Sequence, residues 1–301
     1  MSADAESTFR IRVDPTNPGQ FFACCGLLEL ADRLWDGAEG WFEADDRLFC
    51  YRPGRARNSR GQLGLTDEIV RCPLMNTMTD AQRARRTELA EMPKELREAD
   101  PDLVAQKKVL DGLWRESPVF LGSPFHLRID WFRDQSSGGK SFKTWAGQQS
   151  VIEISTDLRA AVGSATSLPG ECSLAGTSST CVPFNFDSDL GGAGSDVDIG
   201  FSFDPLKSAG LRIITRPLIE FAAFVGLQRF RPCKVDEAYE YSTWSQPLIP
   251  EIAATVVCGA TGCLRTSTFQ FRLLYRTKYL KSFLPARRMQ RSDDGRPVGA
   301  V

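Results

Sequence analysis

Two stretches of this chain are so apolar that they must lie inside it, and together they limit what it can become. The first, PGQFFACCGLLELADRLW, places Phe21, Phe22, Cys25, Leu28, Leu30, Ala31, Leu34 and Trp35 on a broad helical face, with Glu29, Asp32 and Arg33 opposite. The second, RPLIEFAAFVGLQRF, is apolar over nearly all of its length. With 42% hydrophobic residues in 301, the chain can enclose both in a sizeable core. Thr16 or Asn17 is placed to cap the first helix, with Pro18 in its first turn. The small residues Ala23, Cys24, Cys25 and Gly26 suit a close approach to a sheet, with cysteine acting as a compact hydrophobe.

Around the two helices the pattern changes period. STFRIRVD alternates as a half-buried strand, WFEADDRLFCYR reads as a hairpin turning at Asp45 and Asp46, and PFHLRIDWF returns to alternation. VIEISTDLRAAV reads as a helix. The segments EYSTWSQPL, EIAATVVCG and TSTFQFRLLYRTKYL read as antiparallel strands. From Thr79 to Glu116 the composition shifts to charged helix formers broken at Pro93 and Pro101, which predicts two or three short helices inserted between sheet elements. Regular β-α-β alternation and internal repeats are absent from the sequence. The expected architecture is one α+β domain over 1–301, with a largely antiparallel sheet packed by two apolar helices, a helical insertion at about 79–116 and a basic, flexible tail at about 285–301.

Charge and cysteine content narrow the function classes. Lysine and arginine total 37 against 38 acidic residues, so nucleic-acid affinity would have to come from local patches. The sequence shows neither a signal-like start nor a run of about 18 apolar residues, so a soluble, cytoplasmic protein without membrane partners is expected. Nine scattered cysteines suit reduced thiols. Cys258 and Cys263 have a permitted zinc spacing, but Cys233 is far upstream and the only histidine is His126.

Four motifs carry possible chemistry. Cys24 and Cys25 could supply a thiol nucleophile, but no histidine stands near them in sequence, and packing is the simpler use of both. DQSSGGKSF resembles the end of a phosphate-binding P-loop, with Asp134 where the leading glycine belongs. Its Lys140 and Lys143, with Trp145, Gln148 and Gln149 beyond, suit contact with a nucleic-acid backbone, or form an ordinary solvated loop. GGAGSDVDIGF contains a single copy of a calcium-repeat core, so Asp187, Asp189, Asp196 and Asp198 are either ion ligands or parts of a turn-rich surface loop. RPGRARNSR presents Arg52, Arg55, Arg57 and Arg60, whose guanidinium forks suit phosphate; the end of the chain adds Arg276, Lys278, Lys281, Arg287, Arg288 and Arg291.

Taken together, VDPTNPGQFFACCGLLELADRLW, RPLIEFAAFVGLQRFRP, YSTWSQPLIPEIAATVV and FQFRLLYRTKYLKSFLPAR resemble the CRISPR-associated subunits of type I-U (type I-G) effector complexes. The resemblance implies a non-catalytic, cofactor-free component of a Cascade-like surveillance complex. Its partners would be guide RNA, target DNA, other Cascade subunits and a recruited helicase-nuclease. The position implied is a reduced large subunit that senses the protospacer-adjacent motif, or else a backbone subunit of the RNA-recognition-like superfamily. The contact residues expected are Arg52, Arg55, Arg57, Arg60, Lys140, Lys143, Trp145, Gln148 and Gln149. The rival from another class is a cytosolic cysteine-dependent enzyme using Cys24 or Cys25.

Overall fold

The computed structural model describes residues 8–54, 64–136, 138–145, 149–164, 174–179, 181–190, 214–275 and 281–290. Strand β1 (Phe9–Arg12) leads into helix α1 (Pro18–Trp35), and the hairpin β2 (Glu39–Phe42) and β3 (Leu48–Arg52) follows. β3 lies between β1 and β2 and antiparallel to both, the split β-α-β arrangement. Asn17 is the helix cap: its side-chain oxygen accepts the Gln20 N–H at 3.3 Å, with Pro18 at the first position. Thr16 instead donates to Asp14.

Helix α2 (Gly64–Arg71), which the hydrophobic pattern does not announce, precedes β4 (Leu74–Asn76). Helices α3 (Asp80–Glu91), α4 (Lys94–Glu98) and α5 (Pro101–Glu116) follow, then β5 (Val119–Leu121) and β6 (Leu127–Arg128). β4 and β5 pair directly, Asn76 opposite Val119, so the expected charged insertion is three helices set into the mouth of a hairpin. Its breaks are where the prolines put them. A capping box of Thr79 and Gln82 starts α3, Pro93 stands just before α4 and Pro101 opens α5. The strand expected over PFHLRIDWF shrinks to β6, because His126 takes a left-handed conformation at φ 46° and Trp131–Arg133 turns as a 3-10 helix.

The second half holds α6 (Val151–Ser164), α7 (Pro217–Gly226), β7 (Cys233–Val235) and β8 (Ala238–Trp244). It continues with α8 (Pro250–Val257), β9 (Arg265–Phe271), β10 (Leu273–Tyr275), β11 (Lys281–Phe283) and β12 (Arg287–Arg288). EIAATVVCG is therefore a helix where a strand was expected. Pro250 is pre-organised for its first turn, and Ala253, Val256 and Val257 bury one helical face, which outweighs β-branched composition. Part of the expected flexible tail is also ordered, since β12 pairs with β9. All strand pairs among the described residues are antiparallel and the fold is α+β, with the strands divided among sheets β1-β3-β2, β4-β5-β6, β10-β11 and β12-β9-β8-β7. A bridge from Gly40 to Leu248 links the first sheet to the segment after β8.

α1 is buried almost throughout because it is covered on two sides. Toward the sheets, Phe21 stacks on Tyr241 with ring centroids 4.3 Å apart, and Phe42 meets Trp244 edge-on at 5.0 Å. On the other side it crosses α7, which corrects the expectation that its small residues face a sheet. A Cβ on Gly26 would collide with the Ala222 carbonyl, and one on Gly226 with the Phe22 carbonyl. Two glycines thus let the two most apolar helices touch backbone to backbone. Glu29, expected on the polar side, is 2% exposed; it accepts from Arg33 at 2.7 Å and from Arg229 at 2.6 Å, so its charge is compensated.

Candidate nucleic-acid interface

The far side of α7 positions the candidate site. Phe224 is the hub of an aromatic cluster: Phe184 stacks on it at 4.5 Å, and Trp131, Phe132 and Trp145 surround it at 5.6 to 5.9 Å. Trp131 also donates its indole N–H to the Phe224 carbonyl at 2.9 Å, anchoring one end of the 131–145 segment. Gly138 turns the chain at φ +75°, and Gly139 packs so close to the Trp131 carbonyl that a Cβ would not fit. Residues Gly139–Phe142 make one 3-10 turn, and Phe142 is buried against Tyr239 at 4.5 Å. That turn is too short to offer phosphates the N-terminus of a helix, so the P-loop likeness ends at the level of sequence.

What the turn does is set out cations. Lys140 is exposed. Lys143 is half-buried, its ammonium 5.8 Å from the centroid of the Trp145 ring. Burial, followed by the nearby charges of Arg133 and Lys140, pushes the Lys143 pKa below the usual lysine range. The Arg133 pKa is also lowered by burial, and its guanidinium donates to the Arg115 carbonyl at 3.0 Å. No carboxylate forms an ion pair with Lys140, Lys143 or Arg133 among the described residues.

Lys143 borders a pocket of about 250 Å³. Phe132, Trp145 and Val151 form its apolar lining, and Lys143 and Gln149, with Gly112, Arg115 and Glu116 from the last turn of α5, complete it. Three of the expected contact residues, Lys143, Trp145 and Gln149, are thus brought together, with Lys140 on the same loop. Trp145 needs correction as a backbone-contacting residue: it is 2% exposed and embedded among Phe132, Phe184 and Phe224, so it is a wall of the pocket and a seat for Lys143. Arg52 is also corrected as a free phosphate donor. It faces Glu39 across β2 and β3, with its Nε 2.9 Å from the carboxylate. Arg55, Arg57, Arg60 and Gln148 lie outside the described residues.

Sequence reasoning missed Arg115, Glu116 and Arg133. Their sequence signal is faint, because the insertion and the glycine loop read as separate features and only the fold brings the end of α5 to the pocket lined by Lys143, Trp145, Gln149 and Val151.

The other motifs resolve as structure. Cys24 and Cys25 are wholly buried, and burial, then the adjacent Cys24, raises the Cys25 pKa well above the ordinary thiol value, opposite to what a nucleophile needs. Asp187 and Asp189 are held by Arg216, at 2.6 and 2.9 Å, while Asp196 and Asp198 lie outside the described residues. Among the described residues no group of three or more His, Cys, Asp or Glu side chains is placed to hold a metal ion, and no helix is long and apolar enough to cross a membrane. No protein-family model, curated protein or solved structure matches this chain.

Proposed function

We propose that the protein is a non-enzymatic, nucleic-acid-contacting subunit of an RNA-guided surveillance complex of the type I-U (type I-G) CRISPR class, acting in the cytoplasm. The observation that supports contact with nucleic acid is a pocket lined by Lys143 and Arg115, with exposed Lys140 on the same loop and Arg133 bonded to the Arg115 carbonyl beside it; Glu116 is the carboxylate in the lining, and Asp130 acts on Arg133. Two lining cations and two neighbouring ones against Glu116 and Asp130, in a chain of net charge −1, are a local asymmetry suited to phosphate. The choice of complex rests on the sequence resemblance. In such an assembly, guide RNA pairing reads the target while protein subunits supply shape and backbone contacts, and a separate helicase-nuclease does the cutting.

Within that class two positions are open. The reduced large-subunit position rests on the resemblance alone. The backbone position draws on an observation, the β1-α1-β2-β3 unit with strand order β1-β3-β2, which is the first half of a ferredoxin-like topology. That support is analogy at the level of fold.

The test is target binding by the assembled complex carrying Lys140→Glu and Lys143→Glu together. Affinity should fall, and the slope of log affinity against log salt should flatten by about one or two, one for each phosphate that is no longer neutralised. Unchanged affinity and slope would overturn the assignment.

A further inference from the structure

We propose that the pocket between the end of α5 and residues Lys143, Trp145, Gln149 and Val151 is a built site for a single phosphate group, with Lys143 and Arg115 as its binding residues, so that the charged insertion supplies half of the site. This rests on the nucleic-acid reading above and narrows its ligand chemistry.

Size argues first. At about 250 Å³ the pocket falls below the roughly 300–1,000 Å³ of clefts for drug-sized ligands, which fits a phosphate ester with its nearest carbons better than a whole nucleotide. The lining argues next. Trp145, Phe132 and Val151 are each less than 8% exposed, so little aromatic face is offered to a base, whereas exposed Arg115 and half-buried Lys143 and Gln149 are the more accessible donors in the lining. Lys143 brings a compact ammonium and Arg115 the terminal nitrogens of a guanidinium whose Nε donates to the Asp111 carbonyl at 3.1 Å, the donor types that phosphate oxygens accept from.

Lys143 is the group with most to gain. It is half-buried, it has no ion-pair partner among the described residues, and it stands near the like charges of Arg133 and Lys140. An anion in the pocket relieves that repulsion. Arg133 acts as a positioning residue: its bond to the Arg115 carbonyl ties the last turn of α5 to the 131–133 turn. Glu116 is the opposing charge in the lining and limits affinity. Phosphate chemistry has two sources here, the internal phosphodiesters of a strand and a terminal or free monoester.

The test is unfolding temperature against inorganic phosphate, exchanged for chloride at constant ionic strength. A saturable rise is expected for the full chain. Lys143→Ala and Arg115→Ala should each weaken phosphate by about tenfold, the worth of one charge-assisted hydrogen bond, while Lys143→Arg retains binding and Glu116→Gln tightens it. Both alanine substitutions are at half-buried or exposed positions, and circular dichroism identifies any variant that fails to fold; Lys143→Gln then replaces it. No saturable effect, or the same effect in every variant, overturns the proposal.

Short single-stranded oligonucleotides with and without a 5′-phosphate identify the source. Equal competition supports an internal phosphodiester, and preference for the phosphorylated strand supports a strand end. Saturable phosphate binding with no competition from either oligonucleotide would support the pocket and overturn the nucleic-acid reading instead.

Discussion

Glu220 shows how much a single residue can do in this core. It lies on α7 with no exposed surface, and its two carboxylate oxygens accept the backbone N–H groups of Phe186 and Asp187 at 3.2 and 3.0 Å. Asp187 is held in turn by Arg216 and by the Asn17 side chain at 2.8 Å, so the 184–189 segment is fastened across the starts of both apolar helices. Burial, and then the Asp187 charge, pushes the Glu220 pKa up to about 7 from an ordinary 4.5. An acid whose pKa is raised by folding binds more protons in the folded state. The contribution of Glu220 to stability is therefore greatest below pH 4.5, falls as pH rises to about 7, and is flat above, a loss on the order of 3 kcal/mol. Glu220→Gln has no proton to lose but leaves one of the two backbone N–H groups facing an amide nitrogen, so the comparison is of the slopes with pH and not of the absolute stabilities. In urea unfolding the variant should gain on the parent between pH 5 and pH 8; parallel profiles would show that Glu220 ionises normally.

At the scale of elements, the insertion is the most separable part. α3 and α5 enclose their own small core of Met78, Leu89 and Leu110. Arg86 stacks over Trp114 at 4.5 Å and bonds Asp111 within the insertion; the contacts to the body include those of Arg86 and Trp114 with Glu153, the packing of Trp114 on the main core, and the Arg133 bond to the Arg115 carbonyl. Because Asn76 and Val119 are already paired at the hairpin mouth, replacing residues 79–116 with a short turn should leave cooperative thermal unfolding intact. It should also abolish the phosphate response, since Arg115 goes with the insertion. Loss of cooperative unfolding would show that the insertion is integral to the core.

This element was legible in the sequence, as were α1, α7 and the first hairpin, because each has a strong period, a cap or a proline stop. α8 was not, since Ile252, Thr255, Val256 and Val257 favour strands locally and only Pro250 and the buried face favour a helix. The pocket was half legible: Lys140, Lys143 and Gln149 stand together in the chain, but Arg115 reaches them only through tertiary structure.

For the whole molecule, the segments that carry the CRISPR resemblance are the ones that build the interior. α1 and α7 cross at Gly26 and Gly226, and β8 and β9 supply Tyr241, Trp244, Phe269 and Phe271 to the core. They speak for a shared scaffold more than for a shared chemistry, which is why the functional claim has to stand on the pocket and its cations. A chain of net charge −1 with a compact cationic site among its described residues is suited to adding a few backbone contacts within an assembly. The most direct test is ultraviolet crosslinking of the assembled complex on guide RNA and target DNA, with crosslinked peptides identified by mass spectrometry. Crosslinks are expected in the peptides spanning residues 138–149 and the end of α5, and should weaken when Lys143 is replaced by alanine. Absence of nucleic-acid crosslinks to this chain, or crosslinks confined to other surfaces and unchanged by that substitution, would contradict a nucleic-acid role for the pocket.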